Sequence, residues 1–157
     1  MTIGADSRVE SAAIRDAVQI LRTRLGDCVR SVRYRNSAGG EFEPMAAGVR
    51  AARLTLTSGI ASTGGRLDIR WWYNGDYVYE YHEDGLRFVF GRDSTEQGTP
   101  ASDLYFRPPS DPDQRRPSTF DPDFSPELVT LAVAANWVVA ARQEDPTILN
   151  EPTVYCA

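Results

Sequence analysis

Two hairpins run back to back, RLDIRWWYNGDYVYEYHEDGLRFVFGRD over residues 66–93, and they constrain this chain more than any other feature. Apolar and polar residues alternate through all three segments, which is the period of a strand with one buried face. Leu67, Ile69, Trp71 and Tyr73 form one apolar set; Tyr77, Tyr79 and Tyr81 form the next. The two sets share a face if Tyr73 pairs with Tyr77 across a three-residue loop, Asn74-Gly75-Asp76. A two-residue Asp84-Gly85 loop then pairs Glu83 with Leu86, setting Tyr81 beside Phe88 and Tyr79 beside Phe90. The expected result is one continuous aromatic face turned to the core. The other face carries Arg66, Asp68, Arg70, Trp72, Val78, Glu80, His82, Arg87 and Val89. In this register Arg70 lies across from Glu80, and His82 across from Arg87.

The flanking segments supply the rest of a domain. Ser7-Arg8-Val9-Glu10 has the form of a capping box, followed by Ile14, Ala17, Val18, Leu21 and Leu25 at helical spacing and by Gly26 as a stop. Residues 28–36 and 52–60 read as two earlier strands. Between Asp93 and Ser125 the pattern dissolves, and six prolines fall between 100 and 122. Only Leu104-Tyr105-Phe106-Arg107 there suits a short edge strand, and the rest of this loop is expected to be the least protected part of the domain. Ser125-Pro126-Glu127 opens a second helix to about Arg142, apolar nearly all round and therefore buried. The expectation is a single α+β domain over 1–157. It has an antiparallel meander sheet of about five strands packed with an N-terminal and a C-terminal helix, a long proline-rich loop (94–125) and a surface tail (143–157).

Composition narrows the chemistry. All 17 basic residues are arginine, against 22 acids, for a net charge of −5. Such a chain is no general nucleic-acid binder, and its Asp-rich, lysine-free make-up suits a high-salt cytoplasm or a GC-rich genome. One histidine and two distant cysteines, Cys28 and Cys156, make neither a His/Cys zinc site nor a disulfide framework. Without lysine the usual phosphate-binding loop is impossible, so no nucleotide cofactor, and no cofactor of any kind, is expected. Neither a signal peptide nor a membrane-spanning stretch is legible, and a cytoplasmic location follows by default.

What remains is the polar face of the hairpins. Cleaving an RNA phosphodiester needs a base for the 2′-hydroxyl, an acid for the leaving oxygen and cations for the developing charge. Glu80 as base, His82 as acid and Arg70 with Arg87 as phosphate clamps meet that need. On one strand, 80 and 82 project the same way about 7 Å apart, with room for a substrate group between them. Trp72 is the exposed aromatic candidate for stacking a base, and Arg107 adds a contact from the long loop. The same residues also suit a solvated face held by cross-strand pairs such as Arg70 with Glu80.

The run YNGDYVYEYHEDGLRFVFGRD, followed by DLYFRPP, resembles a group of small proteins of halophilic archaea related to the TumE-like toxins of toxin–antitoxin pairs. Asp84-Gly85 matches the family's turn, Arg92-Asp93 its strand end, and Phe106 with Pro108-Pro109 its final motif. The two histidines of that motif fall on Tyr105 and Arg107 here. The resemblance spans roughly residues 66–109 and implies a toxin-like protein acting on RNA, with an antitoxin as protein partner. The missing histidines and the acidic charge suit the alternative: a non-catalytic protein-interaction or assembly module on the same scaffold.

Overall fold

A computed structural model of the chain describes residues 8–37, 39–45, 47–94 and 103–150. The element order is α1 (Ser11–Leu25), β1 (Val29–Arg35), β2 (Ala51–Leu56), β3 (Gly65–Trp71), β4 (Tyr77–Glu83), β5 (Leu86–Arg92), β6 (Leu104–Arg107), β7 (Arg116–Pro117) and α2 (Pro126–Gln143). The strands form one antiparallel sheet in sequence order, and both helices cover the same side of it. This is the expected α+β meander, with seven strands where about five were expected.

The alternation argument holds across the centre of the sheet. Leu67, Ile69, Trp71, Tyr77, Tyr79, Tyr81, Phe88 and Phe90 all lie in the helix-side core, and Tyr81 pairs with Phe88 and Tyr79 with Phe90 as expected. The first hairpin is also built on three residues, but one position early. Trp72 N–H donates to the Asp76 carbonyl, so the loop is Tyr73-Asn74-Gly75. Its third residue, Gly75, has φ 91°, and a three-residue hairpin loop needs a positive φ at that place. The pairing therefore shifts by two residues, which moves partners but not faces. Trp71 pairs with Tyr77, Asp68 with Glu80 and Arg70 with Val78, so the expected Arg70–Glu80 pair does not form. Tyr73 leaves the core set and stands in the turn, 63 % exposed.

The ends of the chain also depart from expectation. Helix α1 buries its expected stripe and stops at Gly26 (φ 54°), but it starts at Ser11 with Glu10 as N-cap and no side-chain cap bond. Ser7, the other half of the expected capping box, lies outside the described residues. Residues 8–10 instead extend the sheet: Glu10 N–H donates to Trp71 O at 2.9 Å and Tyr73 N–H to Arg8 O at 2.9 Å. The proline-rich loop is partly structural. It supplies β6 and β7, and Phe120 stacks on Phe90 with ring centroids 4.4 Å apart. Residues after α2 turn back onto the body, where Leu149 is fully buried, so they are not a surface tail as far as residue 150.

A buried hydrogen-bond chain docks α2. Trp71 Nε1 donates to Tyr79 Oη (2.8 Å), and Thr130 Oγ1 lies 2.6 Å from the same oxygen. Thr130 also donates to the Pro126 carbonyl at 2.8 Å, so its one hydroxyl proton is committed and Tyr79 is the donor to Thr130.

Adjacent residues on opposite faces test this layering. Phe88→Ala should cost about 3–5 kcal/mol in denaturant unfolding, whereas Arg87→Ala should stay within about 0.5 kcal/mol. Similar losses for both would contradict the assignment of faces.

Candidate functional site

With both helices on one side, the opposite side of the sheet has no helix over it among the described residues. Three rows of side chains cross it. The first runs Thr55, Arg66, His82, Arg87; the second runs Arg33, Arg53, Asp68, Glu80, Val89, Arg107. The third contains Arg70, Val78, Gly91 and Tyr105. Arg35, at the end of β1, points to the same side by alternation. Strand positions on this face thus hold seven arginines (33, 35, 53, 66, 70, 87, 107) against two carboxylates, Asp68 and Glu80. The surplus is five positive charges in a chain of net charge −5, so the remainder has a net charge of −10.

His82 and Glu80 are in direct contact. His82 Nε2 lies 2.5 Å from Glu80 Oε1, and Arg87 Nη2 lies 3.7 Å from Glu80 Oε2. The two side chains lean together, so no gap for a substrate group exists between them, contrary to the spacing of an ideal strand. Their side chains are 27 % and 28 % exposed, which leaves the pair reachable from solvent. In the register Glu80 faces Asp68, a like-charge opposition that destabilises a sheet unless cations answer it. Arg53 does so for Asp68 with a two-pronged contact, Nε to Oδ1 at 2.8 Å and Nη2 to Oδ2 at 2.9 Å. That bond outweighs burial and raises the Arg53 pKa further above its ordinary value.

The structure moves two other candidates. Trp72 is on the polar side, as expected, but it is only 6 % exposed. It packs with Val78, Val89 and Tyr105 in a small second core, because the bridge to Val9 lays the N-terminal segment beside it. It therefore offers no free face for stacking. Arg70 lies over Trp72 with 5.5 Å from guanidinium carbon to ring centroid. Arg107 turns to the loop, donating to the Asp113 carbonyl at 2.9 Å, and shares Tyr105 with Arg115, which lies 4.0 Å from the ring centroid.

Arg33, Arg35 and Arg53 escaped the sequence reading, because they sit on strands far from His82 in the chain and only the meander order brings them alongside. Glu83 escaped it too, although its odd number places it on the helix side of β4, where a carboxylate needs partners. Oε1 accepts from Ile60 N–H and Tyr81 Oη–H at 2.7 Å each, and Oε2 from Ala61 N–H at 2.9 Å and Ser62 Oγ–H at 3.0 Å. Gly59 makes room for it: a Cβ there would stand 2.7 Å from Glu83 Oε1. Glu83 is thus a structural clasp between β4 and the β2–β3 turn, not a reactive group.

Among the described residues no cluster of three or more His, Cys, Asp or Glu side chains suits a metal ion, and no helix is long and apolar enough to cross a membrane. Comparison with family models, with curated proteins and with solved structures finds no match for this chain.

The Glu83 clasp carries a pH signature. Burial acts to raise its pKa, but the four donors outweigh burial and lower it below the ordinary glutamate value. Its contribution is therefore complete above the unfolded-state value and lost as pH falls through the lower folded one. Glu83→Gln should cost about 1–3 kcal/mol near pH 7, toward the smaller figure because the group is partly solvent-screened. The gap between wild type and variant should close in acid unfolding series below about pH 4. A gap that does not change with pH would contradict the clasp.

Proposed function

We propose that this protein binds a single-stranded RNA along the open sheet face and cleaves it at the Glu80–His82 pair, in the manner of a toxin-like component of a toxin–antitoxin pair. The observation that carries this reading is the segregation of charge. Seven arginines on one sheet face of an acidic molecule form a local field suited to a phosphate backbone. The opposed pairs Arg33–Arg53 and Asp68–Glu80 support it further, since a face built only for stability avoids like charges across a ladder.

The chemistry follows from the pair. Glu80 fixes the His82 ring through Nε2 and leaves Nδ1 as its other proton-exchange site. His82 takes the 2′-hydroxyl proton of the bound strand, and Glu80 stabilises the imidazolium so formed. The 2′-oxygen bonds to phosphorus, the bond to the 5′-oxygen breaks, and the proton is returned to that leaving oxygen. Arg66 and Arg87, on either side of His82 in its row, face the charge that develops on the phosphate. The roles differ from the initial expectation in that Glu80 acts through His82 and Arg66 replaces Arg70 beside it.

A second reading, a protein-interaction or assembly module, draws on a different place. An apolar groove of about 450 Å³ lies between Leu86, Phe106, Pro108, Pro109 and the turn at Pro146. It has the character of a peptide-binding surface and needs no chemistry from His82.

The test is binding and cutting of a fluorescently labelled single-stranded RNA. If about four phosphates are held, log K should fall against log salt with a slope of about −3. His82→Ala should retain binding and lose cleavage by about 10²–10⁴-fold, with unchanged melting temperature. Absence of RNA binding at low salt would sink the RNA reading and leave the interaction module.

A further inference from the structure

A pocket of about 190 Å³ opens on the sheet face beside the Glu80–His82 pair. Its outer wall is made by a chain reversal. Glu43 exchanges both backbone hydrogen bonds with Tyr34, at 2.6 and 2.7 Å, which brings Phe42 alongside Arg35. The guanidinium carbons of Arg35 and Arg53 lie 4.9 and 4.1 Å from the Phe42 ring centroid. Val78 contributes to the lining, and Asp68, Arg70 and Glu80 close the inner side.

The pocket is lined by two guanidinium groups and two carboxylates, but both carboxylates are answered by cations outside the lining. Both oxygens of Asp68 are held by Arg53, and Glu80 is held by His82 with Arg87 nearby. Arg35 and Arg70 have no such answer: among the described residues no carboxylate lies within 4 Å of either guanidinium. Arg35 Nε is buried and has no acceptor. A buried donor left unpaired costs stability, and a guanidinium fork is the shape that an anion with several oxygens satisfies. Burial and then the charge of Arg70 lower the Arg35 pKa, outweighing the opposing charge of Asp68.

We infer that this pocket is a phosphate subsite, in which Arg35 and Arg70 hold the phosphate group of a nucleotide or of a nucleotide link in a strand. The inference rests on the RNA reading of the face and adds a site to it. Glu80 is the wall common to the pocket and to the reacting pair, so the phosphate held here neighbours the one cleaved beside His82. Arg35 and Arg70 are positioning residues that fix the strand's register.

Calorimetric titration with inorganic phosphate at low salt tests it, on the wild type and on Arg35→Gln, Arg70→Lys and the exposed helix control Arg24→Gln. One saturable site is expected, weakened about tenfold or more by Arg35→Gln, the loss of a charge-assisted bond. Arg70→Lys, which keeps the charge and removes the fork, should also weaken it, and Arg24→Gln should not. Equal weakening by Arg24→Gln and Arg35→Gln would mean diffuse attraction and overturn the subsite. Labelled single-stranded RNA is titrated in parallel. RNA binding without a saturable phosphate site would overturn the subsite and leave the RNA reading. A phosphate site lost in Arg35→Gln, with no RNA bound by wild type, would support the subsite and remove the RNA reading.

Discussion

The structure depends on one constraint: apolar and aromatic side chains at every second position of three consecutive strands must fall on a single face. Tyr77, Tyr79, Tyr81, Phe88 and Phe90 have no other place to be buried, and α1 and α2 close over them. Once that side is taken, every residue of the opposite parity is committed to the other side, and in this chain the charged ones among them are mostly arginines. The basic face is thus a consequence of the same alternation that builds the core. Its charge could not be redistributed without moving the aromatic set.

The two faces are held by different forces. On the helix side most of the polar atoms named above are paired, as in the Trp71–Tyr79–Thr130–Pro126 chain and the four donors to Glu83, although the buried Tyr77 hydroxyl has no partner among the described residues. On the open side the pairing is incomplete. Asp68 opposes Glu80, Arg33 opposes Arg53, and Arg35 keeps a buried nitrogen without an acceptor. The opposed like charges lie on this side of the sheet, and local departures of that kind are where binding and chemistry are expected.

Much of this was legible from residue order alone, and the failures have specific causes. Face assignments survived because parity is insensitive to a shift of two residues. The pairing itself did not, because the demand for a positive φ at Gly75 places the loop one residue earlier than the Asn-Gly-Asp reading. Trp72 was expected at the surface, since nothing in the sequence announces that Val9 will bridge to it. Phe120 sits among prolines and polar residues, and its stacking on Phe90 depends on how the long loop returns. At the site, Glu80, His82 and Arg87 were visible because two of them share a strand and the single Asp84-Gly85 turn brings the third alongside. Arg33, Arg35 and Arg53 needed the whole strand order.

The central claim is that the open sheet face, and no other surface, meets a phosphate backbone. Because every cation on the side chains is an arginine, the side-chain Nε–Hε resonances report on all of them in one spectrum. Titration with a single-stranded RNA should shift the signals of Arg33, Arg35, Arg53, Arg66, Arg70 and Arg87 together, and leave Arg22, Arg24 and Arg142 of the two helices unchanged. Shifts concentrated on the helix arginines, or none on the sheet arginines while RNA is bound, would contradict the account.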